Sequence, residues 1–270
     1  MRLSLCSTGN KDEALESIIP RAARIGYDGI EIWQGHLDAC LDADGGVERL
    51  SGLLRDSGLQ ASVIAASTAF IAEEERLPQA LDQAKQLCGC ARKLGGAHVR
   101  LFLDWIGSAE ATEAQWIRAA QGLKAICRTA EQNGVFIIME THHGQLTDTT
   151  PATLRLLELV DSPQLKVNLD IYNLFHMGEN PLQALQALWP HTVNIHLKNG
   201  RHSPEGKVRY GYPLREGDMD FMPFLRQIRQ LEYGGFAAIE WFGDSYWDAA
   251  ESELRWLKET ERAWSNPGFG

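Results

Sequence analysis

Strand-like and helix-like hydrophobic periods alternate eight times along these 270 residues, and that alternation narrows the accessible folds more than any other feature. The strand-like runs fall near 2–6, 28–33, 60–66, 97–103, 135–140, 165–170, 192–197 and 236–241. Helical patterns lie near 12–25, 45–57, 76–94, 113–133, 151–160, 181–188, 220–231 and 246–263. A helix between each strand and the next makes the strands parallel, and eight parallel strands close readily into a barrel with helices outside. Local chemistry agrees. Gly26, Gly58, Gly95 and Gly134 stop helices, and Thr112 to Gln115 has capping-box spacing. Thr150-Pro151 puts an N-cap residue before a proline at the first helical position, and Pro20 predicts a kinked or late-starting first helix. No Pro/Ser-rich linker breaks the pattern, so the expectation is one α/β domain over 1–270, a (β/α)8 TIM barrel. An open doubly wound sheet would want a glycine-rich phosphate loop after the first strand, and Ser4 to Lys11 has no G-x-G-x-x-G.

Four of the strand-like runs close on a metal-ligand type of side chain: Glu140, Asp170, His196 and Glu240. A carboxylate or imidazole is expensive as core filling, because a buried charge needs a partner or a metal. At the C-terminal ends of barrel strands such groups converge on one mouth. Three carboxylates and an imidazole form a hard, oxygen-rich set suited to Mn²⁺, Mg²⁺ or Co²⁺, with Zn²⁺ also admissible. The plainer alternative pairs Asp170 and Glu240 with Lys198 or Arg100 as structural salt bridges. In Glu140-Thr-His-His-Gly, His142 lies two residues past the first ligand and is a candidate proton acceptor, while His143 is expected to face solvent. Lys198 shares a strand face with His196, and Arg100 could clamp a substrate carboxylate. Glu31 and His36 fall at the mouth of the second strand, where they would orient ligands or substrate hydroxyls. Trp33, Phe102, Trp105, Trp241 and Phe242 could wall a dry pocket.

The formal net charge of −10 argues against a nucleic-acid partner and for a small-molecule ligand. Met1 to Cys6 is too short for a signal peptide and no apolar run could span a bilayer, so no membrane partner and a cytoplasmic location are expected. The five cysteines have no framework spacing, and Cys88 and Cys90 in one helix do not share a face. Cys6, Cys40, Cys88, Cys90 and Cys127 are read as reduced thiols.

These residues resemble the xylose-isomerase-like (AP-endonuclease-2-like) barrel superfamily over nearly the whole length. Within it, Glu140-Thr-His-His-Gly, Leu165 to Asp170, His196-Leu-Lys-Asn199 and Ile239-Glu-Trp-Phe-Gly243 are most similar to bacterial 3-dehydroshikimate dehydratases. The resemblance implies a metal-dependent lyase, manganese among its candidate ions, acting on a polyhydroxy keto compound. The ion would sit on Glu140, Asp170, His196 and Glu240, His142 would take the proton beside the ketone, and Arg100 and Lys198 would receive the carboxylate. The β-hydroxyl then leaves and the ring aromatises to protocatechuate. One departure stands out: the family usually has a histidine three residues after the strand-six aspartate, and here Asn173 can hydrogen-bond a substrate hydroxyl but not shuttle a proton.

Sugar isomerases and epimerases of the same superfamily are the alternative, with Glu140 and Glu240 as the acid/base pair on a ketose or sugar phosphate. DNA repair endonucleases of this fold need more metal-binding histidines and a basic face, and a non-catalytic carbohydrate-binding barrel would not need an intact ligand set. Members often form dimers or tetramers, so a homo-oligomer is allowed, although no helix marks an interface. The glycine-rich segment 199–217 is expected to form a mobile loop over the mouth.

Overall fold

A computed structural model describes residues 1–96 and 98–265 of the protein. Ala97, where the fourth strand-like run begins, and residues 266–270 lie outside the described part. The chain opens with β1 (Arg2–Cys6), β2 (Gly29–Trp33), β3 (Gln60–Ser67), β4 (His98–Phe102), β5 (Ile137–Glu140), β6 (Leu165–Asp170) and β7 (Thr192–Leu197). Then β8 (Asn199–His202) and β9 (Val208–Tyr212) form an antiparallel hairpin outside the sheet, and β10 (Phe236–Ile239) completes it. Every neighbouring pair in the closed eight-stranded sheet is parallel, with β10 lying between β7 and β1. This is the (β/α)8 TIM barrel.

The connecting helices are α1 (Leu15–Ile25), α2 (Gln34–Leu41), α3 (Gly46–Ser57), α4 (Leu77–Lys93), α5 (Glu113–Asn133), α6 (Thr150–Val160), α7 (Ile171–His176), α8 (Pro181–Leu188), α9 (Phe221–Gln230) and α10 (Tyr246–Ser265). The start of α5 has the expected capping box, the Thr112 side chain accepting from Gln115 N–H, and Gly134 ends it at φ 68°. A side chain is disfavoured in that left-handed conformation, which is why glycine stops the helix. The cap of α6 falls one residue earlier than expected, on Thr149, because the backbone and hydroxyl of Thr150 are taken by Glu179. Helix α1 begins late, at Leu15, and carries Pro20 inside it.

What positions the site is strand parity. Leu3 and Leu5, Ile30 and Ile32, Val99 and Leu101, Ile137 and Met139, Val167 and Leu169, Ile195 and Leu197, and Ala237 and Ile239 all belong to the main apolar cluster. The intervening positions do not, and their side chains meet across the interior: Ser4 with Ser62 at 2.7 Å, Asn194 with Asn168 at 2.7 Å, and His196 with Glu31 at 2.9 Å. Because successive strand residues face opposite sides, Glu31, Arg100, Glu140, Asp170, His196, Lys198 and Glu240 share the inward parity.

The segment expected to be a loop over the mouth is instead the β8–β9 hairpin. Asn199 pins its base by donating to the carbonyls of Leu214 and Met219, each at 2.9 Å. Its far strand meets the loop after β10 glycine to glycine: a Cβ on Gly211 would lie 2.8 Å from Gly243 Cα. Among the described residues, no helix is long and apolar enough to cross a membrane.

Candidate metal centre and active-site cavity

Glu140, Asp170, His196 and Glu240 are buried, and one ligand-type atom from each lies within 4.8 Å of the others. Glu140 and Asp170 end β5 and β6, His196 is next to last in β7, and Glu240 directly follows β10. Asp170 also caps α7, its carboxylate accepting from Asn173 N–H at 3.0 Å, so the strand-to-helix turn itself fixes its rotamer. His196 Nδ1 is 3.4 Å from Glu140, 3.6 Å from Glu240 and 3.9 Å from Asp170. The opposite ring nitrogen, Nε2, lies 2.9 Å from Glu31 Oε2. When Nε2 carries the proton and donates it to Glu31, the Nδ1 lone pair faces the acids; Nδ1 is buried and has no hydrogen-bond partner. A carboxylate behind a histidine in this way is how proteins orient imidazole toward a metal ion.

Charge points the same way. Glu31, Glu140, Asp170 and Glu240 make four buried carboxylates, against which stand two buried cations, Arg100 and Lys198. Burial opposes charge on His196, but Glu31, Glu240 and Glu140 outweigh it and hold the ring protonated, well above the usual imidazole range, in the metal-free cluster. Once a divalent ion takes the place of that proton, four carboxylates against two cations leave the two negative charges it neutralises. The residues therefore fit a divalent metal bound by Glu140, Asp170, His196 and Glu240.

The individual acids differ. Burial opposes charge on Glu240, but Lys198 and His196 outweigh it and bring the group down to about 2. Against the same burial, Arg100 and His196 hold Glu140 well below the usual carboxylate range. Burial wins at Asp170, which rises to about 6 despite Lys198. Arg100 bridges Glu31 Oε1 at 3.1 Å and Glu140 Oε2 at 2.6 Å, while Lys198 Nζ is 2.8 Å from Glu240 and 2.7 Å from Asp170. The pairing of Asp170 and Glu240 with Lys198 that the sequence left open is thus present. Both cations expected to receive a substrate carboxylate are already committed to carboxylates of the protein.

A cavity of about 650 Å³ opens above this cluster, lined among others by Glu140, Glu240, Arg100, Lys198 and His142. His142 Nδ1 is 2.6 Å from the His143 carbonyl, so Nδ1 carries the donated proton and Nε2 keeps its lone pair. Burial lowers this imidazole to about 4, in spite of Glu140 nearby. Phe102 and Trp105 meet its ring edge-on at 4.9 Å and 5.4 Å, and His143 stacks on it at 4.3 Å rather than facing solvent alone. Trp33, Phe102, Trp105 and Phe242 line the cavity as expected. Trp241 is not among the lining residues, its indole N–H being given to Asp244 O.

Five expected site residues lie outside the lining: Glu31, Asp170 and His196 belong to the buried cluster beneath it, and His36 and Asn173 are turned to other partners. His36, in α2, places Nδ1 3.0 Å from Ser7 Oγ, and Asn173 Nδ2 donates to Thr141 O at 3.0 Å with Glu140 Oε1 at 3.5 Å. Cys6 was missed by sequence reasoning although its Sγ is 3.9 Å from His196 Nε2. Burial and then Glu31 push its thiol up to about 12, so it stays protonated. Its parity with Ser4 in β1 was the available signal. All five cysteines are free and buried.

Residues 19–260 match the family model described as xylose isomerase-like TIM barrel. The chain belongs to this family. Among xylose isomerase-like relatives, a 3-dehydroshikimate dehydratase of Bacillus anthracis is 27% identical over 273 residues, covering 95% of this chain and 96% of the relative. A fructoselysine 3-epimerase of Shigella flexneri is 23% identical over 251 residues, covering 89% of this chain and 90% of its own. The crystal structure of the probable 3-DHS dehydratase AsbF of Bacillus anthracis, involved in petrobactin synthesis, superposes with a TM-score of 0.84 at 26% identity, over 96% of this chain and 99% of that one. The relatives are thus enzymes, dehydratases and epimerases alike.

Proposed function

We propose that the protein is a divalent-metal-dependent lyase that dehydrates 3-dehydroshikimate to protocatechuate. The observation that carries this reading is His142: a neutral imidazole with its free nitrogen available, on the wall of the cavity shared by Glu140 and Glu240. A bound divalent ion supplies a Lewis acid that acidifies the proton next to a carbonyl. His142 Nε2 accepts that proton, and the His143 carbonyl steadies the imidazolium through Nδ1–H. The β-hydroxyl leaves as water with the proton returned by His142, and enolisation of the ring ketone gives the aromatic product. Phe102 and Trp105, packed edge-on against the His142 ring, hold its orientation at the cavity wall.

An epimerase on this scaffold would need Glu140 and Glu240 as proton acceptors. Here Arg100 and Lys198 hydrogen-bond those carboxylates, whereas His142 gives its Nδ1 proton to the His143 carbonyl and keeps the Nε2 lone pair for a substrate proton. The test is to offer metal-loaded protein 3-dehydroshikimate beside a panel of ketoses. The ultraviolet absorbance of the catechol is the expected outcome; an epimeric sugar with no catechol would overturn the dehydratase reading.

A further inference from the structure

Resting on the dehydratase reading, the question left by the cavity is which group meets the substrate's carboxylate. Of the charged side chains that line it, Arg100 and Lys198 are bound to Glu31, Glu140, Asp170 and Glu240. Asp104, an acid, accepts from the backbone N–H groups of Phe70 and Ile71, at 3.0 Å and 2.8 Å. Lys11 remains. It forms no ion pair among the described residues, and its ammonium lies over the Trp33 ring, 4.9 Å from the centroid. The neighbouring Glu13 is oriented instead toward Asn10 Nδ2 and the Trp247 indole, its Oε2 accepting from each at 2.7 Å.

The loop that carries Lys11 is built to a fixed position. It follows the 3₁₀ turn Ser7–Gly9, closed by Asn10 N–H to Ser7 O at 3.0 Å. Ser7 Oγ in turn receives the Trp33 backbone N–H at 2.9 Å and lies 3.0 Å from His36 Nδ1. Lysine and the aromatic ring beneath it are therefore tied to one serine, and the cation–π contact places the charge at the cavity wall. A second cavity, of about 810 Å³, adjoins the first and shares Thr8, Lys11 and Phe242 with it, so Lys11 stands at the junction of the two.

We propose that Lys11 is the carboxylate subsite of this cavity, selecting anionic over neutral polyhydroxy ketones, with Ser7, Trp33 and His36 as the residues that position it. The cations deeper in the cavity serve the metal ligands; the cation at the rim serves the substrate.

The experiment is calorimetric binding of protocatechuate and of catechol, which lacks the carboxylate, to the metal-loaded protein, alongside turnover of 3-dehydroshikimate. Wild type is expected to favour protocatechuate by about tenfold or more, the range of one hydrogen bond to a charged group. Lys11→Met removes that preference and leaves catechol affinity in place, Lys11→Arg restores it, and Lys11→Glu inverts it. A preference kept in Lys11→Met, or missing in wild type, overturns the subsite. Absence of catechol product from wild type, with the Lys11-dependent preference intact, overturns the reaction and not the subsite.

Discussion

Strands β5 to β10 and strands β1 to β4 contribute unequally to the same centre. The later half supplies every atom of the Glu140, Asp170, His196 and Glu240 set. The earlier half supplies Glu31 behind His196, Arg100 bridging Glu31 and Glu140, and Lys11 and Trp33 at the rim. The candidate ligands thus come from one side of the barrel and their support from both, Lys198 on the later half and Glu31 and Arg100 on the earlier. Support from across the barrel costs no extra chain, since parity already points those side chains inward.

The sharpest way to break this division is Glu240→Gln in the ligand half. It keeps shape and loses a charge, and turnover is expected to fall by more than about 100-fold, beyond what loss of an outer partner causes. Assay of the metal-loaded variant beside its circular dichroism decides it, and unchanged turnover would remove Glu240 from the site. Next in size is Arg100→Met in the supporting half, which strands two buried carboxylates. Breaking such a pair costs about 3–5 kcal/mol, to be read from the denaturant midpoint of the metal-free protein. A midpoint equal to wild type would mean the bridge does not stabilise the barrel.

Glu31→Gln tests the division most directly, because Glu31 reaches the candidate metal set through His196, and through Arg100 on Glu140, without belonging to it. Metal affinity is expected to drop by about 10–100-fold without loss of stoichiometry, measured by competition with a fluorescent chelator. A lost site instead of a weakened one would make Glu31 a ligand. The smallest effect concerns Asp170. Its folded-state value lies above its ordinary one, so its contribution to stability is full below about pH 4 and is lost as pH rises toward about 6. Metal-free Asp170→Asn should therefore gain stability relative to wild type across that interval, followed by thermal melts. A difference that does not change with pH contradicts the burial that raises Asp170.

The two halves were also unequally legible. The ligand half could be read from sequence because each ligand closes an apolar run, a pattern visible one strand at a time. In the supporting half, Glu31 and Arg100 lie within β2 and β4, and their meaning depends on partners 69 and 40 residues away. The strand-parity rule carried Lys198 to the right face but could not show that Asp170 and Glu240 would claim it. Parity with Ser4 places Cys6 on the inward face, but its neighbour His196 arrives 190 residues later. His36 was read toward the mouth from proximity to Glu31, whereas α2 starts at Gln34 and turns it onto Ser7. The hairpin was hidden by its glycines, which suggest freedom where Asn199 and the contact with Gly243 impose order.

That glycine contact has a mechanical consequence. Tyr210, one residue before Gly211, and Phe242, one residue before Gly243, place their rings 5.4 Å and 5.7 Å from the Lys198 ammonium. With no side chain between the two backbones, the hairpin and the β10 loop are coupled like two boards nailed at one point. A shift of either segment that drew its ring away from Lys198 would therefore have to break that backbone contact.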